Sequence, residues 1–309
     1  MRGARESIPA ELRVHADIDG PPSRESLLEG SRGASGIIAM LTESIDEQLL
    51  EAAGPQLQVV ANVAVGFDNI DVEAAARRGV IVTNTPGVLD EATADLTLAL
   101  ILSTARRVVE ADRFVRTGRP WIWGPQSFVG LDLSGGATLG IVGLGRIGMA
   151  TARRAHAFGM NILATGSRAT SQEAVRLGVE AVNLEQLLAC SDVVSLHCPL
   201  TRDTRHLIGA EELATMRKGS YLINTARGPL VDEESLADAL ESGHLAGAGL
   251  DVHENEPQVN KRLRRMEQVV VLPHIGSAAA ATRDAMGTMA VKNVAEVLLG
   301  RPPLTAVAL

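Results

Sequence analysis

Residues 138–159, "TLGIVGLGRIGMATARRAHAFG", constrain the fold more than any other stretch of the chain. An apolar strand runs straight into Gly143, Gly145 and Gly148, and then into a helical pattern carrying the small residues Ala150 and Ala152. Each glycine has its own task in such a turn. Gly143 permits the sharp bend, Gly145 lets the main chain approach a pyrophosphate, and Gly148 lets helix and strand touch. The helix start then offers unpaired N–H groups and a positive dipole end to an anion. Glycines at this spacing also occur in ordinary turns. The strand before, the helix after and a second apolar strand, "NILAT", about a dozen residues on point to a nucleotide.

Strands and helices alternate on both sides of this turn. Short β-like runs ("GIIAML", "LQVVANV", "VIVTN") interleave with helical "SIDEQLLEAAG" and "DVEAAARRG" between about residues 30 and 85. Residues 91–117 carry apolar residues at helical spacing without proline or glycine and predict one long helix. "TLGIV", "NILAT", "DVVSL", "SYLIN", "LAGAGLDV" and "VVVLP" then follow in the order of a doubly wound sheet, before a last helical run, "TRDAMGTMAVKNVAEVLLG". At 309 residues two domains are expected, so the fold class is α/β with parallel sheets.

Composition narrows the function. A net charge of -8 and a pI near 5.4 disfavour nucleic acid or an anionic membrane as partner. The longest apolar run, "LTLALILSTA", is about half a membrane span and reads as a buried helix. The start of the chain lacks the apolar segment of a secretory signal. Two cysteines, Cys190 and Cys198, are too few for a disulfide framework or a metal site, which fits a cytoplasmic protein acting on a small soluble ligand.

The second strand ends in "TGSRAT", where a dinucleotide site usually holds an acid for the ribose hydroxyls. No Asp or Glu occurs between Gly148 and Glu173, and Ser167 and Arg168 occupy that place. A hydroxyl and a guanidinium suit a 2′-phosphate, so NADP(H) is favoured and NAD(H) remains possible. The alternative is that Arg168 is an ordinary surface arginine.

Three further stretches, "INTARGPLVDEESL", "GLDVHENEP" and "VVVLPHIGSA", each follow an apolar strand, where an open α/β sheet gathers its ligand site. Small neighbours leave Arg227 able to form a two-pronged pair with a carboxylate. His274 sits in an apolar setting, and Glu256 is one of several acids in its loop. Taken singly, Arg227 reads equally as a structural ion pair, His274 as a satisfied core residue and Glu256 as a solvated charge.

Together with "VAVGFDNIDVEAA", "NTPGVLDEATADLTLALIL", "GLGRIG" and "HCPLTRDTRHLI", these stretches resemble, in order, the D-isomer-specific 2-hydroxyacid dehydrogenases, most closely the NADPH-using glyoxylate/hydroxypyruvate reductases. The resemblance implies two Rossmann-like domains with the active cleft between them. A cofactor domain, residues 93–275, would be inserted into a flavodoxin-like substrate domain, residues 1–92 and 276–309. It places the catalytic roles on Arg227 as carboxylate clamp, His274 as proton donor and Glu256 as the group that holds the imidazole and raises its pKa. It implies substrate contacts from Val65, Gly66, Arg227, His274 and Ser277. Cofactor contacts would come from Gly143, Leu144, Gly145, Arg146, Ile147, Gly148, Ser167, Arg168, Cys198, Pro199, Thr204, Thr225, Ala226, Asp251, His274 and Gly276, with no metal. The substrates would be small 2-oxo or 2-hydroxy acids.

The resemblance also implies a homodimer built through the cofactor domain. The apolar face of "LTLALIL" is compatible with that, and Trp121 and Trp123 either reach toward a partner's cleft or pack after the long helix. In one respect the chain departs from the pattern. "ESIPAELRVHADID", residues 6–19, is too short for the usual first strand and helix, so one of them is expected to be missing or shortened. The regulatory extension of some phosphoglycerate dehydrogenases, which are an alternative within the family, is not expected. A nucleotide-sensing corepressor on the same scaffold is the alternative outside enzymes, and the acidic composition, without a basic patch, favours the enzyme.

Overall fold

A computed structural model describes residues 22–308, so the expected shortening within residues 6–19 lies outside the described residues. The chain separates into two compact units, one running to Leu89 and resuming at Ala278, the other spanning Asp90–Ser277.

In the first unit β1 (Gly36–Ala39), β2 (Val59–Asn62) and β3 (Ile81–Thr83) form a parallel sheet in the order β1-β2-β3 among the described residues. The helices α1 (Arg24–Ser31), α2 (Glu47–Ala53) and α3 (Val72–Arg77) start at Ser23, Asp46 and Asp71, whose side chains accept the unpaired N–H groups of the first turn. The chain's last helix, Ala280–Leu298, packs on β1 and β2, and the following segment bridges β3 through Thr83 and Ala306.

The second unit holds a seven-stranded, fully parallel sheet. Its strands are β4 (Thr138–Val142), β5 (Asn161–Thr165), β6 (Glu180–Ala181), β7 (Val193–Leu196), β8 (Tyr221–Asn224), β9 (Gly247–Leu250) and β10 (Val269–Val271), arranged β10-β9-β8-β7-β4-β5-β6. The order reverses between β4 and β7, and a crevice at that point, outside the carboxyl ends of the strands, is where such sheets bind ligands. Both faces are covered, which is why these strands read as continuous apolar runs. Leu139, Ile141 and Ile223 pack on one face with residues of α4 (Asp90–Ala105) and α6 (Arg146–Ala157). Val142, Leu196 and Leu222 pack on the other with α8 (Leu184–Cys190), α9 (Ala210–Thr215) and α10 (Glu233–Glu241). A short α7 (Gln172–Arg176) completes the set between β5 and β6.

One expectation is corrected. The predicted single helix over 91–117 is two helices, α4 and α5 (Val108–Arg116), broken at Arg107 with φ 53°. The Ala105 carbonyl accepts from the Leu131 amide at 2.9 Å, which draws the end of α4 out of its own ladder. The left-handed residue that follows a helix is usually glycine. Here an arginine takes the position, its guanidinium paired with Glu110 at 2.6 Å and lying 5.3 Å from the Phe128 ring. The sequence carries no breaker at this point, so the periodicity alone ran through it. The run "LTLALIL" is the buried helix that the sequence predicts: Leu98, Leu100 and Ile101 lie in their own unit's core, with Leu96 and Leu102 half-buried and Ala99 exposed.

Exposed apolar surface instead gathers on α5 and just after it. Val115 is 57% exposed, Trp121 62%, Ile122 93% and Trp123 77%, so the tryptophans do not pack within the chain. Among the described residues no helix is long and apolar enough to cross a membrane.

The glycine turn closes as tightly as its residues suggest. A Cβ on Gly148 would stand 2.5 Å from the Gly143 carbonyl oxygen. Gly148→Ala is therefore expected to destabilise the protein by about 2 kcal/mol through overpacking, read as a lower urea midpoint with an unchanged slope.

Candidate active site

Three adjacent parallel strands, β8, β9 and β10, release their chains side by side, and the candidate catalytic residues follow from that. Asp251 ties the three exits together. Its amide donates to Asn224 O at 2.9 Å, its carbonyl accepts from His274 N at 2.8 Å, and its Oδ1 accepts from Ile275 N at 2.7 Å. Arg227 lies three residues past the end of β8, Glu256 six past β9 and His274 three past β10.

The Arg227 segment is latched by a buried asparagine. Asn224 Oδ1 accepts from Ala226 N at 3.0 Å, and its Nδ2 donates to Arg227 O at 2.8 Å. Arg227 itself is extended, half-buried, and donates through Nη1 to Ala226 O at 2.8 Å. The next residue has no side chain for a clear reason. A Cβ on Gly228 would fall 1.9 Å from the His253 carbonyl carbon and 2.4 Å from Glu254 N. Only glycine lets the loop that carries Glu256 lie flat against the loop that carries Arg227.

His274 stands in the left-handed region with φ 56°, a conformation that costs a side-chain-bearing residue roughly 1–2 kcal/mol. Such strain at a strand exit is often functional. Its Nδ1 meets Glu256 Oε2 at 2.9 Å, while Glu256 Oε1 accepts from His253 N at 2.9 Å. Burial disfavours the Glu256 anion. The His274 ring and the His253 amide outweigh burial and hold the carboxyl below its ordinary value of 4.5. With Nδ1 committed to Glu256, Nε2 is the ring nitrogen left to meet a substrate.

The glycine turn lies across the switch point. A Cβ on Gly143 would be 2.6 Å from Cys198 N, so β4 and the "HCPL" segment after β7 come together at the glycine, whereas Gly145 faces open space. Leu144 is buried and Arg146 and Ile147 begin α6, whose first turn carries no acidic residue. Burial pushes the Cys198 thiol up to about 11, which leaves it a packing group. Pro199 is exposed, and its carbonyl accepts from Thr204 Oγ1 at 2.8 Å, closing the loop between them. The Thr225 hydroxyl turns inward to Thr97 Oγ1 at 2.9 Å.

A nicotinamide cofactor fits this surface on one pointed observation. Asp251 is buried, and its Oδ2 has no hydrogen-bond partner among the described residues. A buried acceptor without a donor is costly, and a primary amide would supply one. Burial raises the Asp251 carboxyl above its ordinary range despite the Ile275 amide and the His274 ring. Gly276 lies against it, since a Cβ there would be 3.2 Å from Oδ2.

Ser167 and Arg168 follow β5 with Ser167 exposed, as a cofactor end requires. Yet the acid-free stretch of sequence is not acid-free in space. Glu173, in the first turn of α7, reaches back to Arg168 at 3.3 Å and to Arg153 at 3.0 Å. In the other unit, Asn84 and Asn62 hold the carbonyls of Val65 and Gly66, each at 2.8 Å. Holding Val65 O directs the Gly66 N–H, in the same peptide plane, the opposite way. Ser277 is the last, half-buried residue of the second unit. The positioning roles of Asn224 and Gly228 and the reach of Glu173 to Arg168 are absent from the local sequence pattern. Asn224, a polar residue ending the apolar run "YLIN", was the available signal.

The reversed parallel sheet, glycine turn and strand-exit dyad define a dinucleotide-dependent α/β oxidoreductase. Residues 98–276 match the family described as "D-isomer specific 2-hydroxyacid dehydrogenase, NAD binding domain". A glyoxylate reductase of Pyrococcus horikoshii is 50% identical over 302 residues, covering 96% of this chain and 89% of the relative. The NADPH-dependent glyoxylate/hydroxypyruvate reductase of Sinorhizobium meliloti, solved with NADP and malonate, superposes with a TM-score of 0.80 at 38% identity, covering 90% of this chain and 85% of that one. The D-lactate dehydrogenase of Aquifex aeolicus, solved with NAD and lactic acid, gives a TM-score of 0.85 at 29% identity, covering 97% and 91%. The chain belongs to the D-isomer specific 2-hydroxyacid dehydrogenases, NAD(P)-dependent enzymes that act on CH–OH groups.

The depressed Glu256 carboxyl has a thermodynamic signature. A group whose folded pKa is lowered stabilises the protein above its unfolded pKa and loses that contribution as pH falls through the folded one. Glu256→Gln is expected to be less stable than the wild type in urea unfolding at about pH 7, the difference shrinking as pH falls below the ordinary value of 4.5.

Proposed function

We propose that this protein reduces small 2-oxo acids, glyoxylate and hydroxypyruvate foremost, to D-2-hydroxy acids, with NADPH preferred over NADH. The observation that carries the reading is the His274–Glu256 hydrogen bond at 2.9 Å beside the unpartnered buried Oδ2 of Asp251. The two together put a proton donor next to a place for a nicotinamide amide.

The cofactor would be held by the main chain of residues 143–148 and by the Asp251 carboxylate. Gly276, Thr225, Ala226, Cys198, Pro199 and Thr204 would line it, and when bound it supplies the hydride. Arg227 pairs with the substrate carboxylate and draws charge toward the ketone oxygen, and the Val65 and Gly66 amides offer further donors to a carboxylate. His274 passes the proton on Nε2 to that oxygen as negative charge develops, and takes one back in the oxidative direction. Glu256 keeps the ring in the tautomer and orientation that this requires. Ser277 adds a hydroxyl near the reacting group.

NADPH preference rests on Ser167 and Arg168 with no acid in their own turn, and Glu173 is the group a 2′-phosphate would displace from Arg168. Homodimer formation is supported by the exposed Val115, Trp121, Ile122 and Trp123 of the cofactor-binding unit.

Initial rates with glyoxylate and hydroxypyruvate, with NADPH and then NADH, test this. The wild type is expected to favour NADPH and Arg168→Asp to lose that preference. Equal rates with both cofactors would remove the role of Arg168, and no turnover of either acid would remove the reductase. His274→Gln is expected to lower kcat roughly 100-fold or more with folding intact by circular dichroism.

A further inference from the structure

Behind the His274–Glu256 couple lies a second imidazole that the mechanism above does not use. His253 and Glu233 are 4% and 5% exposed. His253 Nε2 meets Leu272 O at 2.9 Å. A carbonyl can only accept, so Nε2 carries a hydrogen. The other ring nitrogen, Nδ1, has no hydrogen-bond partner among the described residues and faces Glu233 Oε1 at 3.8 Å. In a neutral ring Nδ1 would present a lone pair to a carboxylate, with both groups shut away from water. A proton on Nδ1 turns that repulsion into an ion pair.

The contacts of this pair run to the elements that carry the proton donor. The His253 amide holds Glu256 Oε1 at 2.9 Å, and its ring holds the Leu272 carbonyl, two residues before His274. Glu233 Oε1 accepts from Glu254 N at 3.0 Å and so anchors the same loop to α10. Among the described residues the charged and titratable groups near the ring are Glu233 from α10, Glu256 of its own loop with His274 and Asp251 beyond it, and Glu254, whose carboxylate is paired with His206 at 2.6 Å and Arg205 at 3.8 Å. The Arg227 segment packs on its main chain through Gly228.

We propose that His253 is a positioning residue, held as an imidazolium by buried Glu233, whose contacts and charge set the place of Glu256 and the pH at which His274 gives up its proton. Burial opposes the charged ring, yet Glu233 and the Leu272 carbonyl raise its pKa above the ordinary value. Glu256 then senses two imidazoles, the bonded His274 ring and, electrostatically, the His253 ring. Its charge is shared with His253, and a change at His253 is felt at His274 without any direct contact between the rings.

The inference rests on His274 as the proton donor, and its test separates the two. The His274 ring is titrated by nitrogen-proton NMR in the ligand-free protein, alongside the pH profile of kcat for glyoxylate reduction. His253→Gln keeps a donor toward Leu272 O and removes the charge, leaving Glu233 uncompensated. It is expected to raise the His274 titration and the alkaline limb of reduction by about half a pH unit or more. Adding Glu233→Gln removes the leftover charge and is expected to bring both back toward the wild type. A wild-type His253 ring that is neutral at about pH 6 overturns the proposal, because a raised pKa requires protonation there. So does a His253→Gln enzyme that is slower at every pH with its limb unmoved, the mark of a merely structural role. A wild type that reduces no 2-oxo acid sinks the assigned activity instead, while the NMR titration still decides the linkage between the rings.

Discussion

Asp251 stands where β8, β9 and β10 let go of their chains, and its hydrogen bonds to Asn224, His274 and Ile275 hold the three exits in one arrangement. Arg227, Glu256 and His274 are far apart in sequence and belong to separate loops. What relates them is the register of three parallel strands, in which Asn224 pairs with Leu250 and Leu250 with Val271. If these three act as proposed, the sheet is part of the chemistry. Its apolar faces, buried under helices on both sides, make the strand ends rigid enough for loops to hold a catalytic geometry.

The second dependence is on glycine at close approaches. Gly143 brings β4 to Cys198, Gly148 brings α6 to Gly143, and Gly228 brings the Arg227 loop to His253. Each replaces a side chain by contact between main chains. Around them the polar groups are mostly paired, and the exceptions are informative. Among the described residues Asp251 Oδ2 and His253 Nδ1 are buried atoms without hydrogen-bond partners, the first the acceptor we propose for a cofactor amide and the second facing a buried carboxylate.

Much of this was legible in the sequence because it rests on residues whose identity dictates local geometry. The glycine turn could be read because the small residues of "GLGRIG" have few other uses between a strand and a helix. Arg227, Glu256 and His274 stood out as candidates because each follows an apolar run, while their proposed roles came only with the family resemblance. The rest depended on contacts that no local pattern encodes. The break at Arg107 arises from a carbonyl captured by Leu131, and an arginine in a left-handed turn gives no warning of it. Glu173 reaches Arg168 only because α7 folds back over the end of β5. In the same way β6, two exposed residues at the sheet edge, offers a single alanine as its apolar signal.

Gly228 makes the site depend on a residue with nothing to donate, accept or ionise. A survey of variants scored only by loss of turnover would return it beside Arg227, and its neighbour's guanidinium would invite a chemical explanation. The defect would in fact be one of spacing. A side chain there would lift the whole Glu256 loop, so the proposed proton transfer and substrate orientation would decline together with the His253 contacts, whereas losing the guanidinium would remove the proposed carboxylate contact and leave that loop in place. An active site assembled from strand exits therefore has, besides its reactive groups, a member whose contribution is the volume it leaves empty.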